Sequence, residues 1–243
     1  MKSGLTYRRI LLKLSGEALA GAAGGSSTLD PAVCGKIARE IASARRMGVE
    51  AGIVIGGGNI LRGASAKGLP RVAADAMGML ATVINSLALA CFLEKAGCPA
   101  KVLTAVRIDR TGEYYTPEKA LAYLGKGTVV IIAGGTGSPF FTTDTAAALR
   151  CAEIGAQALL KATKVDGIYD CDPVKNRNAK RFDRITHAEA LARDLRVMDA
   201  TAFSFCRENR IPIIVFKLSE NNSLLKCIKG KKVGTLVTTG GKS

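Results

Sequence analysis

The chain has 243 residues, 48% of them hydrophobic, with 35 Lys and Arg against 20 Asp and Glu, a formal charge of +15. That length and apolar content suffice for a full core, which excludes a disordered chain, a disulfide-stapled miniprotein and a short peptide-like module. The charge raises an anionic partner, nucleic acid included, and the case for one depends on where the basic residues sit.

Short β-branched runs alternate with alanine-rich segments along the chain. Residues 9–14 read as a buried strand ending in Ser15-Gly16, and residues 21–27 as a glycine-rich loop. Asp30-Pro31 has the pattern of an N-cap with proline at the first helical position, and the helix should run to about Met47. Strand 49–55 leads into Gly56-Gly57-Gly58-Asn59, and a long helix is expected from Arg71 or Val72 to Lys95. Strand 101–108 and a helix start at Thr116-Pro117-Glu118 follow. Residues 128–133 have the continuous apolar character of a central parallel strand, and a helix is expected over 144–153. The pattern continues with strand 156–160, a helix beginning at His187, strand 211–216 and a short helix over 224–228. A closing edge strand is expected at 234–239. The predicted fold is one α/β domain, an open three-layer αβα sandwich with a largely parallel sheet.

Seven cysteines, an odd number without C-x-x-C or zinc-finger spacing, fit a reducing cytoplasm. Cys91, Cys151 and Cys206 fall in helical runs and are expected to pack; Cys171 lies in a loop beside two aspartates. Lys13 interrupts the first apolar stretch, and Asn85 and Ser86 interrupt the run 77–93. We therefore expect neither secretion nor membrane insertion, and a buried helix at 77–93. No His, Cys or Glu cluster suggests a transition-metal site, and His187 reads as a helix-start residue.

Ligands of such sheets bind beyond the carboxyl ends of the strands. Four polar or glycine-rich segments fall there: 13–16, 56–63, 134–144 and 161–172. Gly56-Gly57-Gly58 lets backbone N–H groups approach phosphate, and Arg62 adds a planar, bidentate donor. Neither the P-loop nor the dinucleotide fingerprint is present, so the phosphate chemistry uses another arrangement. Lys13 sits at a strand end before Ser15-Gly16, where its charge must escape to the rim or meet an anion, such as a transferring phosphoryl group. Thr136-Gly137-Ser138-Pro139-Phe140-Phe141-Thr142-Thr143-Asp144 combines hydroxyls and two rings. It reads as a nucleotide-binding loop, a capped helix start, or both, with Asp144 capping or orienting. Arg71 and Asp75, four apart, read equally as a surface ion pair or as an acceptor for ligand hydroxyls. The loop 161–173 supplies two lysines, three aspartates, Thr163 and Tyr169, which flank a purine or form a solvated turn.

Taken in order, these segments resemble the bacterial uridylate (UMP) kinase family of the amino-acid-kinase-like fold. The likeness runs from Ile10-Leu11-Leu12-Lys13-Leu14-Ser15-Gly16 through Asp75-Ala76-Met77-Gly78 and Val197-Met198-Asp199 to Gly234-Thr235-Leu236-Val237. The resemblance implies ATP-dependent phosphorylation of UMP to UDP in pyrimidine nucleotide biosynthesis, with Mg²⁺ held mainly through the ATP phosphates. It implies that Lys13, Leu14, Ser15, Gly16, Gly58 and Arg62 line the ATP phosphates, while Thr163, Tyr169 and Asp172 surround the ATP nucleoside. Gly57, Asp75 and Thr136 to Thr143 are implied for UMP, with Lys13, Arg62 and Lys161 catalytic. The single domain, residues 1–243, is then expected to have an N-terminal lobe over about 1–160 that mainly binds UMP and a C-terminal lobe over about 161–243 that mainly binds ATP. The resemblance further implies a homohexamer built from dimers, a GTP activator and a UTP inhibitor, and the apolar segment 77–93 is compatible with a buried helix or an interface. The segment 21–29 lacks the aromatic residue common in the family, which bears on GTP. Two other functions fit parts of the pattern, a small-acid kinase of the same fold and a basic nucleic-acid-binding protein; the scattered placement of the lysines and arginines disfavours the second.

Overall fold

The computed structural model describes residues 4–21, 28–61, 68–195 and 197–240. Strand β1 (Arg9–Leu14) enters the middle of the molecule, and its alternation decides the rest. Ile10, Leu12 and Leu14 join one core layer while Leu11 joins the other, as the two-residue period of a strand requires. Lys13 therefore projects to the side of Leu11.

Next come α1 (Pro31–Arg46), β2 (Glu50–Ile55), α2 (Arg71–Lys95), β3 (Ala100–Thr104) and β4 (Glu113–Tyr114). They are followed by α3 (Pro117–Gly125), β5 (Val129–Ala133), α4 (Thr143–Glu153), β6 (Ala158–Thr163) and the hairpin of β7 (Ile168–Tyr169) and β8 (Arg181–Phe182). The chain ends with β9 (Arg184–Thr186), α5 (His187–Ala192), α6 (Ala200–Glu208), β10 (Ile213–Lys217), α7 (Ser223–Ile228) and β11 (Thr235–Thr238). Nine strands form one sheet in the order β4-β3-β5-β2-β1-β6-β10-β11-β9, parallel except for the antiparallel β10–β11 pair. Helices α1, α2 and α7 cover one face, with Ile37, Ile41, Leu89 and Leu224 against the strands. Helices α3 to α6 cover the other, through Leu124, Ala147, Ala190 and Phe203. The expected αβα sandwich is thus the observed one.

Several elements differ from expectation. Strand β3 stops at Thr104, whose hydroxyl bonds Val106 O and turns the chain out of the sheet four residues early. The terminal strand is not the edge: β11 lies between β10 and β9. Helix α6, with Asp199 as N-cap, was not expected at all. Cys91 is exposed, whereas Cys151 and Cys206 are packed as expected.

Helix α2 is long and apolar enough, by length and composition, to cross a membrane. Its inner face buries Thr82, Asn85 and Ser86, whose side chains bond Met79 O, Gly56 O and Thr82 O. Its outer face leaves Val72, Met77, Leu80 and Ile84 about half exposed, so the helix is not buried all round.

Candidate active site

Strands β5, β2, β1 and β6 are consecutive in the sheet, so the described parts of the four segments singled out in the sequence open onto one stretch of rim. Gly16 lies directly against Gly56 and Gly58, which joins the Ser15-Gly16 turn to the glycine run. Asn85 fixes that junction from α2, donating to Gly56 O at 2.7 Å while its amide also pairs with Asn59. Nothing in the spacing of Asn85 distinguished it from an interruption of an apolar helix.

Lys13 and Lys161 are paired in the β1–β6 register and, by strand parity, share the face covered by α4. Both are nearly buried, at 8% and 6% exposure. Asp144 in the first turn of α4 meets them both, with Oδ1 at 2.8 Å from Lys13 Nζ and Oδ2 at 2.5 Å from Lys161 Nζ. Burial alone would raise the Asp144 carboxyl, but Lys13 and Lys161 together outweigh it and hold it below its ordinary value. Burial pushes the Lys161 ammonium down to about 8 despite the attraction of Asp144, and Lys13 adds to the fall. Two cations share one carboxylate, which leaves an excess positive charge at the mouth of the sheet and makes it an anion site.

Asp144 does not cap its helix. Thr142 does, its hydroxyl accepting from Asp144 N and Thr145 N, so Asp144 is free to orient the lysines. Thr142 Oγ1 and Thr145 Oγ1 in turn donate to Asp199, which also caps α6 by accepting from Ala202 N. Asp199 therefore ties α6 to the start of α4, a role its place in the sequence did not suggest.

The ion-pair reading of Asp75 has its counterpart in the structure. Its Oδ2 pairs with Arg71 Nε at 2.8 Å and also accepts from Phe140 N at 2.8 Å. Burial works against its charge, but the Phe140 amide and Arg71 prevail and lower its pKa. Arg71 stacks 5.5 Å from the Phe140 ring, and Phe140 itself adopts φ of 71°. Behind this clasp lies a cavity of about 120 Å³ lined by Gly57, Asp75, Thr136, Ser138, Phe141 and Thr143. Thr136 Oγ1 accepts from Ser138 N and shapes the turn through Gly137 to Pro139.

The residues expected around the ATP nucleoside fall in two cavities. Tyr169 and Asp172 line one of about 480 Å³ with Cys171, Arg193 and Val197. Thr163 lines another of about 490 Å³ with Ser15, Ile37 and Leu218. Tyr169 donates to Asp166, which also pairs with Arg181, and Asp172 accepts from Val174 N. Arg62 lies outside the described residues, as do residues 22–27 of the glycine-rich loop. His187 is buried, its Nε2 3.1 Å from Ile211 O, and burial pushes its pKa down.

A parallel sheet with a charged lysine–aspartate–lysine group at its carboxyl rim, flanked by glycine turns, defines a phosphate-handling α/β protein. The model of the amino acid kinase family matches residues 8–217. Over 239 residues the chain is 53% identical to the uridylate kinase PUMPKIN, chloroplastic, of Arabidopsis thaliana, covering 97% of this chain and 70% of that protein. It is 54% identical over 234 residues to a uridylate kinase of Brucella anthropi, covering 96% and 97%. The solved UMP kinase of Bacillus anthracis superimposes with a TM-score of 0.92 at 37% identity, covering 97% of each chain. The chain belongs to the amino acid kinase family, within its uridylate kinases.

Proposed function

We infer that this chain transfers the γ-phosphoryl group of ATP to UMP, giving UDP and ADP. The observation that carries this beyond the likeness of its relatives is the buried Lys13–Asp144–Lys161 group between two glycine-turn segments. The acceptor oxygen is already anionic on a nucleotide phosphate, so no general base is required. Catalysis is alignment and charge neutralisation. Lys13 and Lys161 face the charge that spreads over the transferring group, and Asp144 holds both ammonium groups in place before substrate arrives. Arg62 is a third cation of the same reading.

On the donor side we assign Lys13, Leu14, Ser15, Gly16, Gly58 and Arg62 to the phosphates and Thr163, Tyr169 and Asp172 to the nucleoside. On the acceptor side we assign Gly57, Asp75 and Thr136 to Thr143. UMP entry would exchange the Asp75–Phe140 contact for ribose hydroxyls. The acceptor nucleotide is then held by residues up to about 160 and the donor nucleoside by those beyond, while the donor phosphates reach back to the strand ends of the first lobe. Mg²⁺ would neutralise phosphate charge when bound. Among the described residues no group of three His, Cys, Asp or Glu could hold it, and both Asp144 oxygens face lysines. The phosphates of ATP are therefore its main ligands in this reading.

The exposed stripe Val72, Met77, Leu80 and Ile84 supports self-association through α2, and a hexamer of such dimers is part of the proposal. Activation by GTP and inhibition by UTP complete it. The free cysteines suit a reducing cytoplasm. The test is an ATP–Mg²⁺ assay over UMP, CMP, dUMP, GMP and N-acetylglutamate. UMP should be the preferred acceptor; activity confined to the amino-acid derivative would overturn the reading.

A further inference from the structure

Among the described residues three lysine or arginine side chains are buried, namely Lys13, Lys161 and Arg150. Phosphoryl transfer accounts for the two lysines and leaves Arg150, at 5% exposure, unexplained. A buried guanidinium is costly unless every partner is well placed. Arg150 retains one unmet donor, since its buried Nε–H has no acceptor among the described residues. Surface charge or helix propensity cannot explain such a residue.

Arg150 lies on α4, the helix that carries Asp144 in its first turn. Its Nη1 pairs with Glu153 Oε2 at 2.7 Å, and its plane stacks 4.3 Å from the centre of the Tyr115 ring. The Tyr115 hydroxyl donates to the same Glu153 oxygen at 2.6 Å, which closes a ring of three side chains. The remaining arm, Nη2, is 3.4 Å from both Gly135 O and Thr136 O. These carbonyls belong to the turn after β5, where Gly134 and Gly135 have φ of 80° and 60°. A trans peptide points its N–H opposite to its C=O, so drawing Gly135 O toward Arg150 aims Thr136 N–H the other way. Gly135 and Thr136 both line the cavity bounded by Gly57 and Asp75.

We propose that Arg150 is a positioning residue for the acceptor nucleotide: held by Glu153 and Tyr115, it fixes the Gly135–Thr136 peptide so that its N–H is presented to the nucleoside monophosphate. The proposal rests on the acceptor-site assignment above. Arg150 does not touch substrate, and its effect is carried by backbone orientation. Because Asp144 is rooted in the same helix by its own partners, the donor half of the site does not depend on it.

The test uses the full chain with Arg150→Lys and Glu153→Gln, measuring KM for UMP and for ATP separately, with thermal unfolding alongside. Lysine keeps the charge but cannot reach Glu153 and two carbonyls with a planar fork. Arg150→Lys should raise the UMP KM about tenfold, the loss of one charge-assisted hydrogen bond, with ATP KM changed less than about twofold. Glu153→Gln should move the UMP KM in the same direction by a smaller factor. Folded variants with unchanged UMP KM, or with both KM values raised equally, would overturn the proposal, as would loss of folding in both. A wild-type chain that fails to phosphorylate UMP would instead refute the acceptor-site assignment itself, a result visible before any variant is made.

Discussion

Lys161→Met removes one of the two ammonium groups that share Asp144. In the wild-type chain Lys13 and Lys161 are 8% and 6% exposed, so the excess positive charge has little solvent to relieve it. Burial holds the Lys161 pKa near 8, against an ordinary 10.5. At about 1.4 kcal/mol per pH unit, keeping this group charged at pH 7 costs the folded state roughly 3 kcal/mol. The sign follows from the folded pKa lying below the unfolded one. The cost is fully present below pH 8 and disappears as pH rises toward 10.5. Methionine removes that cost and leaves Lys13 and Asp144 as a neutral pair, so Lys161→Met should be at least as stable as wild type in urea at pH 7. That advantage should shrink by pH 10. Turnover should nevertheless fall about 10²- to 10³-fold, as for loss of one preorganised charge stabiliser. Asp144→Asn makes the opposite change, leaving two buried cations face to face, and should cost about 3–5 kcal/mol. A Lys161→Met protein destabilised by more than about 2 kcal/mol at pH 7, or turning over within about threefold of wild type, would refute this reasoning.

Three further outcomes follow from the same geometry. Asp75→Asn should raise the UMP KM about tenfold or more through loss of charged hydrogen bonds, with the ATP KM unchanged in initial-rate assays. In Gly57→Ala the new Cβ would stand 2.8 Å from Ala81 Cβ and from Gly78 O. Thermal unfolding should show a loss of about 1–3 kcal/mol, accompanied by weaker UMP binding. The pH profile of kcat/KM should descend on the alkaline side near 8, as Lys161 loses its proton in the free enzyme. The limb in kcat should lie higher, because bound phosphates favour the charged lysine; identical limbs in the two profiles would contradict this.

Much of the rim was legible from local pattern. Lys13 betrays itself as a charge in an apolar strand, and the glycine run after β2 and the polar turn after β5 mark strand ends. The partnership of Lys13 with Lys161 was not legible, because it depends on β1 and β6 being neighbours in register across a long stretch of intervening chain. The same holds for Asp144, which looks like a helix-start acid until the register places two lysines over it. Short elements escaped for a different reason. The two-residue strands of the β7–β8 hairpin and the three residues of β9 are too brief to show a period. Helix α2 was only half legible, because an apolar sequence on all sides fits a buried helix and an interface alike, and only the fold shows that the stripe of Val72, Met77, Leu80 and Ile84 faces away from the core. Arg150 could not be recognised from sequence at all; its partners Tyr115, Gly135 and Thr136 come from separate elements.

The central claim, phosphoryl transfer from ATP to UMP at the paired lysines, is tested most directly by following ³¹P resonances in one mixture of ATP, Mg²⁺ and UMP with wild-type protein or with Lys13→Met. The account predicts that wild type forms UDP and ADP in equal amounts, while the folded Lys13→Met protein slows their appearance by at least about a hundredfold. UDP formation at the wild-type rate by Lys13→Met, or inorganic phosphate in place of UDP with wild type, would contradict it.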